Sequence, residues 1–170
     1  MSQDDIDHDA APPTALDRLS DASIAIASVA LLGLVVVQGW QVFARYVIND
    51  SPSWTEPVTI VLLATAMSFG AASAVHTRRH FGFFLLAQAM GPLQRRIVDT
   101  VVHLVVVAIG GVLAGWGWVL LGDGIDVKMA GATLPQSLPY LPLAIGGALM
   151  VVFALAHGVA TWTRREGGEG

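Results

Sequence analysis

Residues 51–63, SPSWTEPVTIVLL, set a tryptophan and a glutamate directly before an apolar run that continues to about Val75. A helix of about 20 residues, rising 1.5 Å per residue, crosses the hydrocarbon core of a bilayer. This run is long enough, and it does not stand alone. Others extend from about Ser20 to Phe43, from about Ile97 to Leu121 and from about Ser137 to Trp162. None alternates with the period of two that a barrel strand needs. Lipid also forces a spanning segment to satisfy its own backbone groups. The expected fold class is an all-α membrane protein with four transmembrane helices.

Composition agrees. The 170 residues are 54% hydrophobic and 13% charged, with a mean hydropathy of +0.63; soluble domains carry about 25% charged residues. One membrane domain is expected over residues 20–163, between an acidic tail at 1–19 and a short tail at 164–170. The first tail, MSQDDIDHDAAPPTALD, holds Asp4, Asp5, Asp7, Asp9 and Asp17 and two prolines, a composition that favours disorder. It does not read as a signal peptide, because its first basic side chain is Arg18 and the apolar run that follows is too long. The absence of cysteine excludes thiol catalysis, disulfides and thiolate metal sites.

Charge orients the helices. Arg18, Arg78, Arg79, Arg95, Arg96, Arg164 and Arg165, seven of the nine basic residues, lie in the N-tail, second loop and C-tail. Arg45 and Lys128 lie in the first and third loops. The positive-inside rule then predicts that both termini are cytoplasmic. Trp40, Tyr46, Trp54, Trp116, Trp118 and Tyr140 are expected at the outer interface and Trp162 at the inner one. Between the second and third spans, residues 81–90 are apolar but too short to cross, and both flanks are basic. This segment is expected to be an amphipathic helix in the inner interface, with Arg78, Arg79, His80, Arg95 and Arg96 among lipid headgroups or against a partner.

Few residues suggest chemistry. Gln38, Gln41 and Arg45 recur at i, i+3 and i+7 and share one helical face. Lipid penalises such a stripe, so it should point at protein, either the other spans or a separate subunit. Small residues line the other helices: Ala64, Ser68 and Ala72, then Ala66, Gly70 and Ala74, in the second span; Gly111 and Gly115 in the third; Gly146 and Gly147 in the fourth. They read as surfaces for close helix association. Asp99 and His103 lie one turn apart and offer either a proton pair or a self-satisfied contact; His157 stands apart in the fourth span. Ser53 and Glu56 match a capping box that would start the second helix at Trp54, whereas a start at Thr55 puts Glu56 and Pro57 in the first turn. An Arg45–Glu56 ion pair between the first two spans is a further expectation. No catalytic set, phosphate loop, cofactor motif or nucleic-acid signature is present, so the chain does not read as an enzyme.

FARYV at 43–47, SPSWTE at 51–56, SFGAASAVHTRRH at 68–80 and ATLPQSLPYLPLAIGGALM at 132–150 resemble the DctQ family, the small membrane subunits of tripartite ATP-independent periplasmic (TRAP) transporters. The order of Arg45, Trp54, Glu56, Gly70 and His80 across four spans carries the resemblance, over roughly residues 20–160. Pro57 stands where the family often has a second acid. The resemblance implies an inner-membrane scaffold. Its partners would be a large DctM-like membrane subunit, which imports an organic acid with sodium, and a DctP-like periplasmic binding protein. Gln38, Gln41, Arg45, Trp54, Glu56 and Gly70 become candidates for the partner interface. Two other readings stay open: a haem-bearing anchor of a quinone-linked oxidoreductase, and a small self-sufficient channel or exporter.

Overall fold

The computed structural model describes residues 14–77 and 92–163, with side chains for 14–77 and 97–159. Helix α1 runs Ala15–Phe43 and continues as a π-helical turn, Ala44–Ile48, that ends on Asn49 with φ +59°. Asparagine is one of the few side chains that tolerates this left-handed geometry. Helices α2 (Thr55–His76), α3 (Pro92–Asp123) and α4 (Tyr140–Thr163) follow. All four are long and apolar enough to cross a membrane. The interfacial helix expected at 81–90 lies outside the described residues.

Helix α1 starts ahead of its apolar run. The Thr14 backbone N–H and hydroxyl donate to Asp17 Oδ2 at 2.8 and 2.6 Å, and the Asp17 N–H donates back to Thr14 Oγ1 at 3.3 Å. Two orphan donors of the first turn are thereby satisfied. Of the two starts that the sequence leaves open for α2, the one at Thr55 is taken, and no capping box forms at Ser53 and Glu56. Helix α2 begins at Thr55, with Trp54 as an N-cap that makes no side-chain bond. The reason is tertiary: the Ser53 hydroxyl donates instead to the Gly131 carbonyl at 3.0 Å, in the loop between α3 and α4. Thr55 Oγ1 donates to Pro52 O at 2.8 Å and closes the turn. Glu56 and Pro57 then fall in the first turn, where an acid suits the helix dipole and proline loses no bond.

The main helix contacts run α1 with α2, α2 with α4, and α4 with α3. The bundle is thus closer to a row than to a closed square, with α2 and α4 inside and α1 and α3 at the edges. Burial follows this order: 39% of the most apolar window of α4 is buried, against 6% in α3. Glycine sets the α4 contacts. A Cβ on Gly147 would lie 2.7 Å from Ala114 N and 2.8 Å from Gly110 O, and one on Gly146 would lie 2.6 Å from Ser68 Cβ. Only a residue without a side chain lets the backbones approach so closely. Ser68 and Ala72 of α2 are buried, and Gly70 is half-buried beside Ala27 of α1. Much of the small-residue surface expected to hold a partner is therefore consumed inside the chain. Gly111 and Gly115 of α3 have open space around them.

Two loops are joined at one end of the row. The loop after α3 doubles back, with the Gln136 N–H on Val127 O at 2.7 Å and the Met129 N–H on Leu134 O at 2.8 Å. Its tip, Gly131, has φ +84°, and a Cβ there would lie 2.5 Å from Ser53 O. Glycine is required at this turn both by its dihedral and by its neighbour.

Candidate functional site

At the end of the row that carries the joined loops lie the partner-interface candidates Gln38, Gln41, Arg45, Trp54 and Glu56; Gly70 sits deeper, toward the His76 end of α2. On α1, Gln38 is exposed, Gln41 half-buried and Arg45 exposed. The π turn opens at Ala44, so the α-helical spacing that aligns Gln38 and Gln41 does not carry through Arg45. Trp54 and Glu56 are exposed beside it, as are Trp40 and Tyr46. The expected Arg45–Glu56 ion pair is not made; among the described residues the ion pair formed is that of His76 with Asp17. Arg45 and Glu56 thus remain directed outward, two opposite charges on one exposed rim.

At the opposite end α1 begins and α2 and α4 finish, and there three titratable residues come together that lie far apart in sequence. His76 Nε2 is 2.8 Å from Asp17 Oδ1, and His76 Nδ1 is 3.3 Å from His157 Nε2. The two imidazole centroids are 5.0 Å apart, and Phe153 lies 5.0 Å from the His76 ring. Phe153 is completely buried, with Ala72, Val75 and Ala154 packed around it. One turn inward, the hydroxyls of Ser20 and Ser73 share a buried hydrogen bond of 3.0 Å. The side chain of His76 is 12% exposed and that of Asp17 45%, so the chain runs from the open rim into the packed interior.

Periodicity could not reveal this cluster. The pairs are separated by 59 and 81 residues, and each member lies on a different helix. The Thr14–Asp17 spacing was a legible signal for a helix start at Ala15, although it was masked by an acidic, proline-bearing tail. His157, which stands apart in the sequence, is part of this cluster. His103 bonds its own helix, with Nδ1 2.6 Å from the Asp99 carbonyl, so the self-satisfied alternative holds and the Asp99 carboxylate is not its partner. Arg78, Arg79 and His80 lie outside the described residues, as do the side chains of Arg95 and Arg96. No group of three or more side chains suited to a metal ion occurs among the described residues.

The chain matches the family model described as tripartite ATP-independent periplasmic transporters, DctQ component, over residues 34–164. No curated protein matches it. Residues 34–164 take in the last third of α1, the π turn and all of α2, α3 and α4. The match and the four spans together describe a multi-pass inner-membrane protein that works beside a large membrane subunit and a binding protein. The chain belongs to the DctQ family: it is a small membrane subunit of a TRAP transporter and not an enzyme.

Proposed function

We propose that the chain braces the large subunit along α1 and offers its outer rim to the binding protein, in a transporter that imports organic acids, carboxylates above all, on a sodium gradient. Both termini are cytoplasmic in this reading, because seven of the nine basic residues then lie inside. The joined loops of residues 49–54 and 124–139 face the periplasm, with Arg45, Trp54 and Glu56 on the rim that meets the binding protein. Residues 81–90 lie in the inner interface, and Arg78, Arg79, His80, Arg95 and Arg96 contact headgroups or the large subunit.

One observation carries the reading. Gln38 is exposed on an edge helix, within a span whose neighbours Val35 and Val36 are also exposed. A polar side chain at such a position is expensive in lipid and is normally covered by protein. With α2 on its other flank, α1 is the side on which the large subunit would sit. Gly70, turned toward Ala27, supports that contact from within rather than making it.

Proteoliposomes test the proposal. Uptake of a labelled carboxylate should need the large subunit, this chain, the binding protein and an inward sodium gradient together. Gln38→Leu and Arg45→Glu should each lower uptake by about tenfold, equivalent to about 1.4 kcal/mol, while leaving the thermal midpoint of this chain unchanged. Full uptake without the chain, or uptake by the chain alone, would refute it.

A further inference from the structure

The Asp17–His76–His157 cluster has a property that follows from donor and acceptor counts. A neutral imidazole carries one N–H and one bare nitrogen; an imidazolium carries two N–H groups. Asp17, as a carboxylate, can only accept, so His76 donates through Nε2. Its Nδ1 is then the acceptor, and the hydrogen between the rings belongs to His157 Nε2. Every polar atom along these two contacts, at 2.8 and 3.3 Å, is matched in the neutral state.

Adding one proton keeps the chain intact. If His157 takes it, Nε2 still donates to His76. If it passes to His76, Nδ1 becomes the donor, and the proton on His157 moves to Nδ1 so that Nε2 accepts. A second proton cannot be accommodated. Both facing nitrogens would then carry hydrogens, and two cations would stand 5.0 Å apart at the ring centroids. The Asp17 contact behaves differently, since His76 Nε2–H donates to the carboxylate in every one of these states.

We propose that Asp17, His76 and His157 form a proton-binding clasp: it holds one added proton with all three helices tied, and on the second it releases α4 from α2 while α1 stays bound to α2. Among the described residues the groups facing it are Asp17 on α1, with Arg18 and Asp21 exposed nearby, His76 on α2 and His157 on α4. From α3 the apolar Val106 and Val107 pack against the adjoining core, and His103 is engaged with its own helix. Arg78 and Arg79 follow His76 in the sequence and lie outside the described residues. Two features make the clasp a switch and not only a tie. Its two facing groups are imidazoles, each able to carry one N–H or two, and Asp17 opens it to the aqueous rim. The inference stands on this geometry and not on the orientation of the chain.

The absence of native cysteine allows a clean test by paired spin labels on the full-length chain, co-expressed with its large subunit and placed in lipid nanodiscs. Ala71→Cys with Leu155→Cys reports the α2–α4 distance, and Ala71→Cys with Leu19→Cys reports the α1–α2 distance; all three positions are exposed in the chain. Between pH 8 and pH 5 the first distance should lengthen and broaden while the second holds. His157→Gln should abolish the response. In parallel, 15N spectra of histidine-labelled protein should count two protonated ring nitrogens on the His76–His157 pair at pH 8 and four at pH 5. An α2–α4 distance indifferent to pH, an equal change in the α1–α2 distance, a response that survives His157→Gln, or fewer than four protonated nitrogens at pH 5 would each overturn the proposal.

Discussion

Gly147 of α4 and Gly115 of α3 look alike in sequence, each in a run of small residues within an apolar span, yet they do opposite things. Gly147 is pressed against the backbone of α3, where a Cβ would meet Ala114 N at 2.7 Å; Gly115 has nothing within 4 Å. The same contrast runs between the two faces of α3, where Gly110 and Gly117 meet α4 and Gly111 and Gly115 meet nothing within 4 Å. Spacing of small residues tells that a helix can be approached closely, but not by what. In this chain α4 uses that freedom on both neighbours, on α2 at Gly146 and on α3 at Gly147, while α3 presses Gly110 and Gly117 against α4 and leaves Gly111 and Gly115 open.

The largest expected effect tests this division directly. Gly147→Ala should cost about 1–3 kcal/mol, because backbone on the facing helix must shift, and should lower the thermal midpoint of the purified chain clearly. Gly115→Ala should stay within about 0.5 kcal/mol, as substitutions away from packed contacts do. Equal losses at the two sites would erase the contrast between packed and open glycines. Gly131→Ala comes next. With φ +84° and Ser53 O at 2.5 Å from the added carbon, about 1–3 kcal/mol of strain is expected, read as a lower midpoint. Retention of the wild-type midpoint would mean that the loops are not joined there.

Smaller effects compare the two helix starts. Thr14→Ala removes a formed capping box and should cost about 1 kcal/mol. Ser53→Ala removes a bond between loops, not a cap, so it should leave the helicity of α2 unchanged while the midpoint falls by about 0.5–1.5 kcal/mol in equivalent stability. Circular dichroism alongside the melt separates the two cases. The smallest effect concerns Arg45 and Glu56. A double-mutant cycle of Arg45→Glu and Glu56→Arg should show coupling near zero, below about 0.5 kcal/mol, since no ion pair joins them. A strong coupling would place the two side chains together in the membrane.

The four spans were legible because lipid imposes a length and a composition that no soluble helix needs. The family was legible from FARYV, SPSWTE and the order of residues around them. The start of α2 was open between two residues: Ser53 and Glu56 have the right spacing for a cap, but the competing acceptor, Gly131 O, is 78 residues away. The outcome rested on a loop whose fold the sequence does not announce. The stripe from Gln38 to Arg45 was half legible. A regular helix would align it, and the π turn that interrupts it has no strong local signature. The histidine cluster was hidden for a different reason. His76 reads as one of several basic residues at a helix end, and His157 as an isolated polar residue; only the packing of α2 against α4 makes them neighbours. Legibility thus fell where the determining partner lay on another helix.

Site-specific photocrosslinking tests the central claim most directly, namely that the α1 edge is where this subunit meets its large partner. A photoreactive residue at Gln38 and another at Leu104, an exposed position on α3, would be compared in membranes that hold the whole transporter. The account expects a crosslink from position 38 to a larger integral protein and mainly lipid adducts from position 104. Protein adducts from 104 with only lipid adducts from 38 would place the partner on the other edge and contradict it.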